Sequence, residues 1–306
     1  MSLAIVFPGQ GSQSVGMMAG FADVPVIERT FLEANAILGV DLWSMVREGP
    51  AEALNQTVNT QPVMLVAGVA CWRAWQERGN PAPAWLAGHS LGEYSALVAA
   101  GSMRFEDALP LVRFRAQAMQ EAVPEGTGGI AAILGLDDAA LPAVLSEGGQ
   151  GEVLEAANLN SPGQVVIAGH RTAVERGMAL AKQKGAKIAK MLPMSAPSHC
   201  SLMKPAAERL RERLDKVEIR KPEIPVIHNR FVESFDDPAK IRAALVEQLC
   251  NPVRWIETVR LLGSKGVTRI VECGPGKVLA GLGKRIAPDI EYVAIQDSAA
   301  LAAAGH

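Results

Sequence analysis

Leu86-Ala87-Gly88-His89-Ser90-Leu91-Gly92-Glu93 opens as an apolar run, turns at a serine with a glycine two residues to either side, and continues into Tyr94-Ser95-Ala96-Leu97-Val98-Ala99-Ala100. This order predicts a buried strand, a tight turn and a helix, with the serine hydroxyl standing at the strand's C-terminal edge. In so sharp a turn a side chain at position 88 or 92 would collide with a neighbouring strand or helix, which gives both glycines a mechanical reason. The start of the helix leaves amides unpaired, and that of Leu91 points to where a tetrahedral oxyanion would form. Gly-x-Ser-x-Gly also arises by chance, and any α/β protein needs glycine-rich turns; the strand-turn-helix setting is what favours a nucleophile. Ser90 is therefore a candidate for acyl transfer.

Working outward, segments 3–7, 85–87, 226–227 and 269–273 read as short buried strands, and 63–78, 105–123, 202–214 and 241–249 as amphipathic helices. Strands alternating with helices imply a mostly parallel sheet covered on both faces. From about residue 128 the rhythm changes: strand 130–134, helix 138–146, strand 153–159, a turn at Ser161-Pro162-Gly163, strand 164–168, helix 172–184 and strand 187–192. That β-α-β-β-α-β order is the signature of a ferredoxin-like unit. Pro124-Glu125-Gly126-Thr127-Gly128-Gly129 and Pro193-Met194-Ser195-Ala196-Pro197 flank it as linkers. The expected organisation is an α/β-hydrolase-like domain of residues 1–125 and 197–306 with a small ferredoxin-like domain, 126–196, inserted into it and a site in the cleft between them.

With 306 residues and 49% hydrophobic content the chain can bury a large core, and a formal net charge of −2 gives no reason to expect nucleic acid or an anionic membrane surface as partner. Met1-Ser2-Leu3 carries no basic segment, the apolar run stops at Pro8-Gly9, and no stretch is long enough to span a bilayer, so a soluble, cytoplasmic protein is expected. Cys71, Cys200, Cys250 and Cys273 show no CxxC spacing and read as reduced thiols, with no metal site. Gly274-Pro275-Gly276-Lys277 lacks the spacing of a phosphate-binding loop and reads as a turn before a helix near Lys277. Lys182, Lys184, Lys187 and Lys190, and the pair Lys284-Arg285, read as solvated basic faces, and the tail 299–306 is expected to fray.

A serine nucleophile needs a base, and the chain has five histidines. His306 is terminal, His89 is locked beside the serine, His170 lies in a Gly-His-Arg turn and His228 ends a predicted strand. His199 sits in Ser195-Ala196-Pro197-Ser198-His199-Cys200-Ser201, where the chain returns from the small domain, and can face an interdomain cleft. The alternative is a histidine bonded to its own loop at a helix start. Cys200 beside it reads as a core thiol, because adjacent residues diverge in direction.

Arg115 is the second informative residue. Ala108, Val112, Met119 and Ala122 form one apolar stripe at helical spacing, and Arg115 falls inside it while Arg113 does not. A guanidinium in such a stripe keeps its charge and must meet an anion, either a structural carboxylate or the carboxylate of a substrate.

Phe7-Pro8-Gly9-Gln10-Gly11-Ser12-Gln13, Gly88-His89-Ser90-Leu91-Gly92-Glu93, Asn160-Ser161-Pro162-Gly163-Gln164, Pro197-Ser198-His199, Gln248-Leu249-Cys250-Asn251-Pro252-Val253 and Glu272-Cys273-Gly274-Pro275-Gly276 together resemble the malonyl-CoA:acyl carrier protein transacylases of bacterial fatty-acid synthesis. The resemblance covers nearly the whole chain, and the acyltransferase domains of polyketide and animal fatty-acid synthases share the plan. It implies that Ser90 is acylated, that His199 is its base, that the backbone carbonyl of Gln248 orients the imidazole, and that the amides of Gln10 and Leu91 form the oxyanion hole. It further implies that Arg115 holds the malonyl carboxylate, with Asn160 and Gln61 lining the cleft. The implied substrates are malonyl-CoA and the phosphopantetheine thiol of acyl carrier protein, with no permanently bound cofactor and a monomeric enzyme. The basic residues near Lys182 and Lys284 are then expected to attract an acidic carrier. Three readings compete: a serine hydrolase that releases free acid, a non-catalytic carrier-docking module, and a malonyl loader for polyketide synthesis or malonate decarboxylation.

Overall fold

The computed structural model describes residues 2–194 and 196–305; Ser195 of the second linker and His306 of the tail lie outside the described residues. Nine strands occur among them: β1 (Ser2–Phe7), β2 (Trp85–Gly88), β3 (Gly128–Leu134), β4 (Leu154–Ser161), β5 (Gln164–His170), β6 (Ile188–Met191), β7 (Val226–Ile227), β8 (Val267–Cys273) and β9 (Glu291–Ile295). They form two sheets. The larger runs β7-β2-β1-β8-β9 and is parallel throughout, with Ala4 opposite Trp85 and Phe7 opposite Gly88. Its central strand carries Ala4, Ile5, Val6 and Phe7 at 0–1% exposure, as a parallel strand covered on both faces requires. The Thr57–Glu77 and Phe105–Glu121 helices supply much of the apolar cover. Each large side chain so buried contributes about 1.5–3 kcal/mol relative to exposure.

The smaller sheet, β4-β5-β3-β6, is antiparallel, and with the Leu141–Gly149 and Arg171–Gln183 helices it has the order of a ferredoxin-like unit. Alternation along its strands separates two faces. Ala131, Ile133, Val165 and Ile167 pack with Val144 and Val174 of its helices. Ile130, Val166 and Ala168 turn the other way and pack with Ala157 and Cys200. The sheet is tied to the rest of the chain at β4, where Leu159 N donates to Val253 O at 2.9 Å and Val253 N to Ala157 O at 2.9 Å.

Two expectations change. The helix read as 63–78 begins at Thr57 and runs through Pro62. Proline reads as a first-turn residue, yet here the lost hydrogen bond is outweighed by a run that is almost wholly buried from Gln61 to Trp72. The tail does not fray over 298–303: Asp297 caps a Ser298–Ala303 helix through Ala300 N at 2.7 Å, and Leu301 is fully buried. Among the described residues no helix is long and apolar enough to cross a membrane.

Candidate active site

β2 ends at Gly88 and the Gly92–Ala99 helix follows at once, so the backbone reverses within three residues. Ser90 accommodates the turn with φ 52°, in the left-handed region that costs a side-chain-bearing residue strain. A Cβ on Gly88 would stand 1.9 Å from the carbonyl of Gly92, and one on Gly92 2.1 Å from Phe7 O of β1. Backbone occupies both spaces, so neither can yield.

The turn is held from behind by a buried polar network. Asn229, two residues past β7, accepts from Ser90 N at 2.7 Å through Oδ1 and donates to Gly88 O at 2.6 Å through Nδ2. Gln248 Nε2 donates to Ser90 O at 3.0 Å and to Glu93 Oε2 at 2.8 Å. Glu93 also accepts from Asn229 N at 2.9 Å and stands 2.8 Å from His228 Nδ1. All four network residues, Glu93, His228, Asn229 and Gln248, are buried. Leaving one such buried group unpaired costs about 1–3 kcal/mol, which makes the network a rigid clamp on the elbow.

His199, 2% exposed with φ 63°, meets the serine from the far side. Its Nδ1 is 2.8 Å from Gln248 O and its Nε2 is 2.7 Å from Ser90 Oγ. A carbonyl only accepts, so Nδ1 carries the proton, Nε2 is the free acceptor and Ser90 Oγ donates to it. The alternative of a histidine bonded only within its own loop is thereby excluded. Burial, followed by the positive charge of Arg115, lowers the imidazole from 6.5 to about 3 and keeps it neutral. Cys200 is a core thiol: its Sγ donates to Pro197 O at 3.0 Å and burial pushes it up to about 12.

Arg115 is 1% exposed and none of its contacts is to a carboxylate. Nη1 donates to Gln61 Oε1 at 2.8 Å, and Nη2 to Gln248 Oε1 at 3.0 Å and, more weakly, to Ser90 Oγ at 3.4 Å. Its guanidinium carbon lies 5.5 Å from the ring centroid of Tyr94, and Nε is buried without a partner. Of the two anions the helical stripe left open, the structural one is not in contact: no carboxylate lies within ion-pair distance of Arg115 among the described residues, and Glu93 acts on it only from beyond the Gln248 amide, with His228 Nδ1 2.8 Å from the Glu93 carboxylate. A buried cation with no carboxylate in contact is costly, and an anion entering the cavity would offset that cost.

Gln10 and Leu91 line the same cavity, about 320 Å³ in volume, and their backbone amides have no hydrogen-bond partner among the described residues. Asn160 and Gln61 line it too, Asn160 Oδ1 standing 2.8 Å from His89 Nε2. The opposite wall comes from the small sheet, through Ile130 and Val166, and from the Val278–Ile286 helix. That helix follows the Gly274-Pro275-Gly276-Lys277 turn and is anchored to the end of β8 by Glu272, which accepts from Leu279 N at 3.1 Å and Ala280 N at 2.8 Å. All eight residues named from the sequence thus gather at one cavity or its immediate support. Asn229 and the roles of Glu93 and His228 were missed; the available signal was a polar His228-Asn229 pair at a strand's C-terminal end, where open α/β sheets gather functional groups.

A serine on a strand-to-helix elbow, its hydroxyl bonded to a neutral histidine, on a parallel sheet beside an antiparallel one, is the arrangement of α/β proteins that carry acyl groups on serine. The chain belongs to the acyl transferase family, whose domain profile matches residues 4–287, and within it to the malonyl CoA-acyl carrier protein transacylases. It is 55% identical over 302 residues to the malonyl CoA-acyl carrier protein transacylase of Salmonella typhimurium, covering 98% of each chain. Among solved structures it is similar to an acyl-carrier-protein S-malonyltransferase from Burkholderia pseudomallei, with TM-score 0.98 and 55% identity over 100% of this chain and 99% of that one. It is equally close, at TM-score 0.98 and 51% identity over 99% of both chains, to a malonyl-transacylase in complex with its type II polyketide synthase acyl-carrier protein.

Proposed function

We propose that this chain transfers the malonyl group of malonyl-CoA to the phosphopantetheine thiol of acyl carrier protein through a malonyl ester on Ser90, supplying fatty-acid synthesis. The observation that carries the reading is the buried guanidinium of Arg115, which no carboxylate contacts and whose Nη2 lies 3.4 Å from the serine oxygen. It matches an acyl group with a free carboxylate, and an esterase of neutral acyl groups has no use for it.

Ser90 Oγ attacks the thioester carbonyl while its proton passes to His199 Nε2, and the amides of Gln10 and Leu91 receive the oxyanion. The C–S bond breaks, the proton on His199 goes to the departing coenzyme A sulfur, and a malonyl ester remains. The carrier thiol then gives its proton to His199 and attacks the ester; Ser90 leaves and recovers that proton. Gln248 O holds the imidazole tautomer without supplying the negative charge of an aspartate. Arg115 clamps the malonyl carboxylate, with Gln61 beside it and Asn160 at the wall. Residues 1–125 and 197–306 act as the catalytic domain and 126–196 as a small domain covering the cleft. The same reading makes the protein a cytoplasmic monomer that holds no permanent cofactor.

Intact mass after brief mixing with malonyl-CoA, then with phosphopantetheinylated carrier, tests it. A malonyl adduct on the wild type but not on Ser90→Ala, passing to the carrier, is the expected result; an adduct lost to water while the carrier stays bare would make the protein a hydrolase.

A further inference from the structure

Because a guanidinium only donates, each glutamine beside Arg115 must turn its carbonyl oxygen toward it, Gln61 at 2.8 Å and Gln248 at 3.0 Å. The remaining amide groups then fall on matching acceptors. Gln248 Nε2 meets Glu93 Oε2 and Ser90 O, and Gln61 Nε2 lies 3.5 Å from Met119 Sδ. Neither glutamine can turn over without setting donor against donor, and both are 1% exposed. The guanidinium is therefore fixed in place by oxygens that carry no net charge. The one buried carboxylate of the network, Glu93, is kept an amide's length away, where it orients Gln248 without pairing with Arg115.

We infer that Gln61 and Gln248 are positioning residues that set acyl specificity by their neutrality: they aim Arg115 while leaving its charge unspent, so that the acyl group must bring the carboxylate. This rests on the functional reading above. A glutamate at position 61 has nearly the same shape but would form an internal ion pair with Arg115 in a site of low dielectric; at position 248 it would also set a carboxylate against Glu93 and Ser90 O. A malonyl carboxylate would then have to displace that partner and would also face its negative charge. An acetyl group, which offers no charge, would lose nothing. The neutral pair thus separates two functions usually served by one acidic partner, orienting an arginine and balancing it.

The test is single-turnover acylation of Ser90, read by intact mass, with malonyl-CoA and acetyl-CoA on wild type, Gln61→Glu and Gln61→Met. Gln61→Glu should lower the malonyl-to-acetyl rate ratio at least tenfold, whereas Gln61→Met, which removes the aiming bond without adding a charge, should lower that ratio by only about threefold. Equal loss of both acyl groups in Gln61→Glu, or equal loss of malonyl in the Glu and Met variants, would overturn the inference, because packing or hydrogen bonding alone would then explain position 61. If Gln61→Glu does not fold, Gln61→Asp puts a carboxylate on the same side of Arg115 with one methylene less to accommodate, Gln61→Asn is its neutral control, and the same ratio decides. A wild type that gains no malonyl group overturns the functional reading itself; a malonylated wild type whose Gln61→Glu variant keeps its malonyl-to-acetyl ratio overturns only the neutrality of the pair.

Discussion

The two walls of the cavity are built on opposite principles. The wall from the parallel sheet is polar and largely buried: Ser90, His199, Arg115, Gln248, Asn229 and Glu93 are joined by hydrogen bonds of 2.7–3.4 Å, each group determined by its neighbours. The wall from the small sheet presents Ile130, Ala132 and Val166 beside the uncharged amides of Asn158, Asn160 and Gln164, and the adjoining helix carries exposed Lys284 and Arg285 at its rim. The first wall has the precision that bond making requires; the second offers shape and charge, which govern who enters. Changes to the first wall should therefore alter the chemical step, and changes at the rim only the encounter.

The largest effect belongs to His199→Ala. It removes the acceptor 2.7 Å from Ser90 Oγ and should slow acylation about 10³-fold or more in single-turnover mass measurements, with malonyl-CoA affinity little changed. A loss of less than tenfold would mean that another group takes the proton. Arg115→Ala comes next. Malonyl acylation should fall about a hundredfold further than acetyl acylation, because only malonyl offers the carboxylate that a forked donor binds. Equal losses for the two thioesters would reduce Arg115 to a structural residue and erase the distinction between a charged and a shaped wall.

How much of this was legible in sequence follows from the range of the interactions. The elbow was readable because its constraint is local: Gly88, Ser90 and Gly92 lie within one turn, and their spacing alone states the steric problem. Arg115 was readable because helical periodicity showed it entering the core, although not what it would meet there. The small sheet was readable from its alternation and from the turn at Ser161-Pro162-Gly163. The clamp was not. Asn229 reaches Gly88 across 141 residues and Gln248 reaches Glu93 across 155, and no periodicity links such pairs. The helix from Thr57 was cut short for a related reason: Pro62 is a local stop signal, and the burial that overrides it is tertiary. Leu301 anchors the C-terminal helix by the same kind of distant packing, which an alanine-rich tail does not announce.

At the rim, Arg285 Nη1 donates to Gln164 Oε1 at 3.0 Å, which joins the cavity-lining helix to the first residue of β5, and Lys284 beside it is exposed. The double change Lys284→Glu with Arg285→Glu should slow malonyl transfer to an acidic carrier by about tenfold at low salt, chiefly in association rate, and by much less at high salt. Acylation by malonyl-CoA should change less than threefold. An unaltered salt dependence would remove the rim from carrier recognition and leave shape as its only contribution. Lys182 and Lys184 are weaker candidates for the same function, since their ammonium groups already meet Lys187 O at 2.6 Å and Glu147 Oε1 at 3.1 Å.

The smallest expected effect, a near absence of pH dependence, sharpens the first wall most. An ordinary imidazole loses half its basic form at 6.5, but His199 is held near 3 by burial and by Arg115, so its neutral form persists through mild acid. The kcat/KM for acylation reports the free enzyme and should vary less than about twofold between about pH 8 and pH 5. The cost appears in stability: the unfolded chain takes up a proton at 6.5 that the native site refuses, so the native state loses stability as pH falls from 6.5 toward 3, and keeps this contribution above 6.5. A malonyl carboxylate that meets Arg115 offsets the second-largest cause of the depression, which raises the basicity of His199 only when the acyl group it must act on is in place. A rate that instead halves near 6.5 would show an imidazole open to water, and the contrast between a sealed, charged wall and an open, shaped one would then fail at its most buried base.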